Sequence, residues 1–277
     1  MKYHAIDADS IVHIVANVHW SAGNRDNEKS VRTQTRHFVQ NVIGVFELPY
    51  LVIFQDVGHQ NFRKDILPSY KSHRAPNEGV AHWKPIIIDE MKKFNHLALK
   101  QIETDDACAI LGKLYGWDVL ISTADKDLNQ IPGHKYNPFK SAKHIADEDR
   151  LFKVGTEEAN DLLWQQVLTS DGTDCSLEET GIIKVGPKTA EKYLKPVPKE
   201  LYLALCAMKY TEKYGVSEGL RRMAVTYDMM KMLNEVTDKY PETYIAADSV
   251  FKKFQNSTML FDTPEPVENT RGNLFNQ

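Results

Sequence analysis

Short apolar runs alternate with longer amphipathic segments along the first half of the chain. Residues 3–7, 51–54 and 118–122 are apolar runs of strand length, and acidic residues stand at or shortly after the end of each run. Residues 11–18, 33–46 and 104–114 instead carry apolar side chains at helical spacing, with Thr104 as a candidate helix cap. Strands alternating with helices predict an α/β fold, whose mostly parallel sheet is flanked by helices.

The second half of the chain predicts helices and then a tail. Thr156, followed by two glutamates, marks the start of a helix over residues 156–168, and residues 198–255 have a helical, amphipathic pattern. The composition then changes to a tail that contains Pro and Asn. We therefore expect an α/β domain at residues 1–150, a helical region at 151–255 and a flexible tail at 256–277.

Carboxylates gather after the predicted strands and in one later loop. They are Asp7, Asp9, Asp56, Glu103, Asp105, Asp106, Asp125, Asp127, Asp171 and Asp174. Functional residues of a parallel sheet collect beyond the carboxyl ends of its strands, so most of these acids should meet at one rim. Taken singly, each group of acids is better explained by helix capping or by solvated loops. Together, carboxylates without Cys or His ligands favour Mg²⁺ or Mn²⁺, and a two-metal site suits phosphodiester hydrolysis.

Overall charge and cysteine usage narrow the class of protein. The net charge is −4, yet without the nine acids assigned to one metal cluster the remainder is mildly basic, which suits a polyanionic ligand. The three cysteines have no paired spacing, which is typical of a reducing compartment. The sequence contains neither an apolar run long enough to span a membrane nor a signal-peptide core. We expect a cytoplasmic protein without a membrane partner.

Residues 62–74 combine basic and aromatic side chains. Arg63, Lys71 and Arg74 alternate with Phe62 and Tyr70, a combination that suits a phosphate backbone with a stacked base. An ordinary solvated basic surface would have the same pattern. With the lysine-bearing helical pattern that follows, residues 62–94 predict a basic excursion above the sheet ends.

Residues 181–194, GIIKVGPKTAEKYL, come close to a phosphate-binding P-loop. Pro187 occupies the position that the P-loop lysine needs, and no strand precedes the segment, so we reject a nucleotide site. A helix-hairpin-helix fits better. Gly186 allows the turn, Pro187 begins the next helix, and Lys188 and Thr189 would face a phosphate at its N-terminus.

Taken in order over about residues 3–194, these segments resemble the 5′-nuclease superfamily of flap endonucleases, 5′–3′ exonucleases and the 5′-nuclease domain of DNA polymerase I. IDADS and FQDVG resemble its first two aspartate strands, and FRKDILPSYKSHR its arch helix. ETDD and STADKD resemble its EADD and STGDKD motifs, and SDGTDC with GIIKVGPKTA resembles its GDxxDN motif and helix-three-turn-helix. The resemblance implies a PIN-like fold with a helical arch at 62–94 and a C-terminal helix-three-turn-helix region. It implies a structure-specific 5′ nuclease that cuts DNA or RNA:DNA near 5′ ends, for primer and flap removal in replication.

The same resemblance assigns roles to individual residues. The family's metal-site acids correspond to Asp7, Asp56, Glu103, Asp105, Asp106, Asp125, Asp127, Asp171 and Asp174, with Asp106 acting through water. The expected catalytic residues are Lys71, Arg74, Asp7 and Asp125, and the expected DNA-binding residues are Arg63, Tyr70, Lys71, Arg74, Gly186, Lys188 and Thr189. Asp9 has no counterpart in most members. The implied cofactors are two or more Mg²⁺ (or Mn²⁺) ions, with a K⁺ ion at the hairpin.

Several features depart from the family pattern or leave alternatives open. Lys184 replaces a hairpin glycine, and Cys175 stands where Asn is usual. The absence of further domains favours a stand-alone nuclease in the cytoplasm of a bacterium or a phage-infected host. Residues 271–275 resemble a sliding-clamp-binding pentapeptide only at their last two positions. The alternative functions are a PIN-type ribonuclease and a catalytically silent DNA-junction-binding protein.

Overall fold

A computed structural model describes residues 1–23, 26–139, 150–233 and 252. Its strands are β1 (Tyr3–Asp7), β2 (Tyr50–Gln55), β3 (His96–Leu99), β4 (Val119–Ser122), β5 (Gly133–Tyr136) and β6 (Leu151–Val154). Its α-helices are α1 (Asp9–Ser21), α2 (Glu28–Gly44), α3 (Arg63–Ile66), α4 (Glu78–Met91), α5 (Thr104–Tyr115), α6 (Thr156–Thr169), α7 (Pro187–Leu194), α8 (Tyr202–Tyr214) and α9 (Val216–Met230). The predicted tail at 256–277, including its clamp-like residues, lies outside the described residues.

The six strands form one sheet in the order β3-β2-β1-β4-β5-β6. The first five are parallel, and only β6 runs antiparallel to its neighbour β5. This confirms the predicted mostly parallel sheet. The pattern had indicated β1, β2 and β4 but neither β3 nor the β5–β6 pair, and β6 extends the sheet beyond the predicted domain boundary at residue 150. Central β1 and β4 bring their carboxyl ends side by side, which places Asp7 next to the loop that carries Asp125.

Helices cover both faces of this sheet. Successive residues of β1 point to opposite sides, so Ala5 packs in the cluster that includes α5, whereas Ile6 packs with α1, α2 and α4. Burial on both faces explains the nearly continuous apolar runs of β1 and β2. Because α5 is fixed by its buried face, its acidic first turn is held at the rim of the sheet.

Only part of the predicted arch, residues 62–94, projects from the α/β unit. Residues 63–66 and 78–91 are helical, and the segment between them consists mainly of turns and bends. Helix α4 buries Trp83, Ile87 and Ile88 in the core shared with α1 and α2, so it is an integral layer of the α/β unit. The segment 67–77 contributes Lys71 and Arg74 to the wall above the acidic rim, and α4 contributes Lys84.

Helices α6 to α8 share a second hydrophobic core with residues from α9. We call residues 67–77 the turn segment. A small cluster joins the C-terminal helices to it, because Leu67 and Tyr70 pack with Cys175, Met229 and Met230. The C-terminal helices therefore support the wall of the rim. Among the helices in the described part of the chain, none is both long enough and apolar enough to cross a bilayer.

Candidate metal centre and nucleic-acid interface

An open cavity of about 760 Å³ lies beyond the carboxyl ends of β1 and β4. The acids that line it are Asp7, Asp9, Glu103, Asp105, Asp125, Asp127, Asp171 and Asp174. Four cations, Lys71, Arg74, Lys84 and Lys126, line its walls. The structure therefore brings together most of the acids that the sequence singled out, from four separate places in the chain. We call this space the acidic cavity.

Asp7 is the last residue of β1 and is almost completely buried. The hydroxyl of Thr123, just after β4, donates to its Oδ2 at 2.7 Å, and the amide of Asp9 donates to its Oδ1 at 3.2 Å. Burial, with the negative charges of Asp9 and Asp125, nevertheless raises the pKa of Asp7 to about 7. The carboxylate is thus held in place at the cost of strong electrostatic repulsion, which a bound cation would relieve.

Asp9, to which the sequence assigned no role, links three loops of the site. Its Oδ1 accepts from the backbone amide of Gln55 at 3.1 Å, and its Oδ2 accepts from the Thr104 hydroxyl at 2.7 Å. Thr104 is therefore not the cap of α5 that the sequence suggested; that position belongs to Glu103, which makes no side-chain cap bond. A carboxylate at position 9 fixes the ends of β1, β2 and the start of α5 relative to one another.

Asp125 and Asp127 lie in the loop after β4. The amide of Asp125 donates to Thr123 Oγ1 at 2.8 Å, and the amide of Asp127 donates to Asp125 Oδ1 at 2.8 Å. Gln166 on α6 donates to Asp127 Oδ1 at 2.7 Å, a contact that sequence reasoning did not foresee. Burial, followed by the charge of Asp125, raises the pKa of Asp127 to about 6.

Arg63 was expected on the DNA-binding surface, but this prediction is wrong because its side chain is buried. Its guanidinium donates to Glu103 at 2.9 Å and to both oxygens of Asp106 at 2.5 and 2.8 Å, and also approaches the carbonyl of Met229 at 3.3 Å. Asp106 is fully buried, lies outside the lining of the acidic cavity and accepts a further bond from the amide of Leu233 at 3.0 Å. With both oxygens of Asp106 engaged, Arg63 and Asp106 form a buried ion pair that supports the site from behind.

Three groups converge on Glu103 from the turn segment and α3. Burial alone would raise the pKa of Glu103, but Arg63, Lys71 and the Tyr70 hydroxyl outweigh burial and lower it to about 2. Tyr70 donates at 2.9 Å to Glu103 and at 3.2 Å to Asp174. Tyr70 is only 4% exposed, so the expected stacking of a base on its ring is not available. Tyr70 instead orients two acids.

Lys71 and Arg74 stand at the wall of the acidic cavity, as expected for phosphate-binding residues. Lys71 forms ion pairs with Glu103 and with Asp174, the latter at 3.5 Å, and Arg74 forms an ion pair with Asp174. The backbone amide of Lys71 donates to the Asp174 carbonyl at 2.8 Å, which fastens the turn segment to the 171–174 loop. Both cations retain solvent-accessible surface, in contrast to Arg63.

The structure does not bring Asp56 into the acidic cavity. Its Oδ1 accepts from Lys92 at 3.2 Å and from the amide of Val57, whereas the preceding residue, Gln55, lines the cavity. Neighbouring side chains at the end of a strand point to opposite sides, so a shift of one residue decides which of them faces the site. The metal-ligand role of Asp56 stays a prediction without geometric support.

The acids that remain fit a divalent cation. Glu103, Asp105 and Asp106 each offer a carboxylate oxygen within 4.8 Å of the others, although Arg63 already engages Asp106. Burial and the charges of Asp106 and Glu103 raise the pKa of Asp105 well above its ordinary value. Oxygen ligands with unfavourable mutual repulsion are the donor set that hard cations such as Mg²⁺ and Mn²⁺ prefer.

Of the predicted helix-hairpin-helix, the structure shows the turn and the second helix: the amide of Val185 donates to the carbonyl of Ile182 at 2.9 Å just before α7, whereas the preceding helix α6 already ends at Thr169. Gly186 is the N-cap of α7, and Lys188 is exposed in its first turn beside half-buried Thr189. Lys184, the departure from glycine, has a φ of 70°, which is unfavourable for a residue with a side chain. The Gly181 carbonyl accepts from Arg222 at 2.9 Å. The K⁺ ion implied for this hairpin stays a prediction.

Comparisons with known proteins show to which family the chain belongs. The family model described as the 5′-3′ exonuclease, N-terminal resolvase-like domain, matches residues 3–155. DNA polymerase I of Rhizobium leguminosarum is 34% identical over 164 residues, which are 55% of this chain and 15% of that polymerase. A 5′-3′ exonuclease of Buchnera aphidicola subsp. Schizaphis graminum is 30% identical over 172 residues, which are 57% of this chain and 56% of that protein. The chain thus spans only part of the length of either relative.

Solved structures show the same fold at low identity. The T5 D15 protein co-crystallised with metal ions has a TM-score of 0.64 at 14% identity, covering 95% of this chain and 100% of that one. T5 5′-exonuclease with bound zinc has a TM-score of 0.57 at 14% identity, covering 94% of this chain and 99% of that one. These likenesses confirm the fold class predicted from the sequence.

Proposed function

The chain belongs to the 5′-3′ exonuclease family, and from this premise we propose that it is a metal-dependent 5′ nuclease that hydrolyses phosphodiester bonds near the 5′ ends of DNA. The observation that carries the proposal is the acidic cavity, where eight carboxylates meet beside Lys71 and Arg74. Such a concentration of negative charge repels a phosphodiester unless divalent cations bind first. Hydrolysis supported by two metal ions is therefore the chemistry that this site serves best.

The carboxylates of the cavity divide into two groups. Asp7, Glu103 and Asp105 come from β1 and the start of α5, and Asp125, Asp127 and Asp171 come from the loops after β4 and α6. Divalent ions held by these oxygens would activate a water molecule and stabilise the leaving oxygen. Asp9 and Thr123 keep the ligands in register through the hydrogen bonds described above, and Arg63 keeps Glu103 ionised.

Lys71 and Arg74 hold the scissile phosphate in this proposal. Both are engaged with Glu103 or Asp174, yet once metal ions neutralise those acids the two cations are available to a phosphate. Arginine matches two phosphate oxygens at once, whereas lysine acts as a point charge. The segment 67–77 would then lie across a single strand that enters the cavity by its 5′ end.

Duplex DNA would contact the hairpin and α7. Lys188 is exposed at the N-terminus of α7, where backbone amides also favour a phosphate. A duplex held there and a strand held at Lys71 correspond to a nick or a 5′ flap, and RNA:DNA hybrids would present the same backbone. Removal of primers and flaps in replication, binding of K⁺ at the hairpin and contact with a sliding clamp remain parts of the proposal that follow from the family resemblance.

Cleavage of three 5′-labelled substrates tests the proposal. A flap duplex, a nicked duplex and single-stranded RNA are incubated with Mg²⁺, Mn²⁺ or EDTA, using the wild type and Asp125→Ala. We expect metal-dependent cutting near the 5′ end of the flap and nicked duplexes, with at least a 10²-fold loss in the variant. The exposed Asp26→Ala is the matched control and should cut normally. Cutting of single-stranded RNA alone would indicate a PIN-type ribonuclease, and tight binding without cutting would indicate a junction-binding protein.

A further inference from the structure

A second cavity, of about 610 Å³, lies on the other side of Lys71 from the acidic cavity. Its wall is formed by the loop after β2 and the loop after β3. Gln55, Lys71 and Glu103 line both cavities, so the two spaces adjoin. The volume falls within the range that is usual for pockets that hold small organic groups. We call this space the amide pocket.

The chemistry of the amide pocket differs sharply from that of its neighbour. Four of its lining residues carry side-chain amides, namely Gln55, Gln60, Asn61 and Gln101. Its charged residues occur in equal numbers, because Lys64 and Lys71 are matched by Asp65 and Glu103. A phosphate group would need an excess of cations, and a metal ion would need an excess of acids. A balanced pocket rich in donors and acceptors instead suits a neutral, polar and planar group.

The hydrogen-bonding groups of the pocket are available to a ligand. Among the described residues, the side-chain amides of Gln55, Gln60 and Gln101 take part in no hydrogen bond. The ring nitrogens of His59 are buried, and among the described residues the group that comes near enough to interact with them by hydrogen bonding is the backbone of Leu99. Phe62 also lines the wall, although it is only 7% exposed. Amide and imidazole side chains are groups that proteins use to hydrogen-bond the edges of an unstacked nucleobase.

The walls of the pocket are fixed before any ligand arrives. The two loops are joined by backbone hydrogen bonds from Asp56 to Leu99 at 2.9 Å, from Gln60 to Lys100 at 2.8 Å and from Phe62 to Gln101 at 3.3 Å. The pocket thus extends the edge of the sheet. Its glutamines project from loops whose backbone is fixed by these hydrogen bonds. Little ordering is required on binding, which favours affinity.

We propose that the amide pocket binds the base of one nucleotide next to the scissile phosphate, after that base has left the duplex stack. This inference rests on the proposed function, because it assumes that Lys71 contacts a phosphate in the acidic cavity. A base attached to that phosphate would then reach the amide pocket across Lys71. Recognition of a base there would help to position the strand for cleavage and would favour substrates with an unpaired nucleotide at this place.

Abasic nucleotides test this inference. Each flap duplex carries a single abasic nucleotide, placed at the first or the second position on one side or the other of the expected cleavage site. The Kd of the protein for each duplex is measured with Ca²⁺ in place of the catalytic ion. At one position, loss of the base should weaken binding to the wild type about tenfold, as loss of stacking and edge hydrogen bonds does elsewhere. Gln60→Leu/Gln101→Leu removes two exposed amides at similar size and should bind intact and abasic flaps equally. Gln40→Leu on α2, outside both cavities, should retain the wild-type preference.

The outcomes separate this inference from the proposed function. If the wild type binds all abasic flaps as well as the intact flap, or if the double variant keeps the wild-type preference, the base pocket is refuted. Cleavage of the intact flap by the wild type with Mg²⁺ is measured in parallel. Normal cleavage without a base preference would overturn only the pocket, whereas absence of cleavage would overturn the proposed nuclease itself.

Discussion

Asp7→Asn is expected to stabilise the metal-free protein and, at the same time, to abolish cleavage. Asn has nearly the same shape as Asp but no charge. Its carbonyl can keep the bond from the Asp9 amide, and the Thr123 hydroxyl can turn so that it accepts from the new amide. The substitution therefore removes the charge of Asp7 while leaving its packing and hydrogen bonds in place.

The magnitude follows from the pKa of Asp7, which is raised from an ordinary 3.8 to about 7. One pKa unit corresponds to about 1.4 kcal/mol, so ionised Asp7 costs the folded, metal-free protein about 4 kcal/mol well above pH 7. Because the folded state holds this proton more tightly than the unfolded state, stability falls as pH rises from about 4 to about 7. Asn avoids that loss. We expect it to add about 4 kcal/mol at pH 8 but less than about 2 kcal/mol at pH 5.

Urea denaturation in EDTA at both pH values measures the effect. Asp26→Asn, at an exposed position, is the control and should change the free energy of unfolding by less than about 0.5 kcal/mol. Adding Mg²⁺ should stabilise the wild type more than the variant, because the ion binds an ionised Asp7. An equal gain at pH 5 and pH 8, or a loss at pH 8, would refute the electrostatic reasoning.

Three further substitutions examine the supporting contacts. Arg63→Met should lower the free energy of unfolding by about 3–5 kcal/mol, because it leaves Asp106 buried without its cation; a loss below about 1 kcal/mol in urea denaturation would contradict the buried pair. Lys184→Gly should raise the melting temperature through a gain of about 0.5–1 kcal/mol, since a φ of 70° suits glycine; a lower melting temperature would speak against this backbone conformation. Lys188→Ala should reduce the slope of log Kd for duplex DNA against log salt by about 1, as one phosphate contact is lost. An unchanged slope would remove Lys188 from the interface.

Local sequence patterns were enough to predict the strands of the centre and the acids of the rim. Apolar runs of strand length identify β1, β2 and β4 because a strand buried on both faces must be apolar at nearly every position. The acids after them are recognisable because parallel strands place their carboxyl ends on one side. β5 was missed because it contains His134 and Lys135 and therefore lacks an apolar run. Its identity as a strand comes from pairing with β4 and β6.

Which side chains face the acidic cavity could not be inferred from the sequence, because it depends on contacts between distant residues. Arg63 resembled a surface cation, yet its partners Glu103 and Asp106 lie about 40 residues away, and the Met229 carbonyl lies 166 residues away. Gln55 is the last residue of β2 and Asp56 directly follows it, and only the packing of this strand end decides which of the two points inward. Sequence spacing therefore predicted the acidic rim, whereas long-range packing sorted its charged residues into those that face the cavity and those that support them from within.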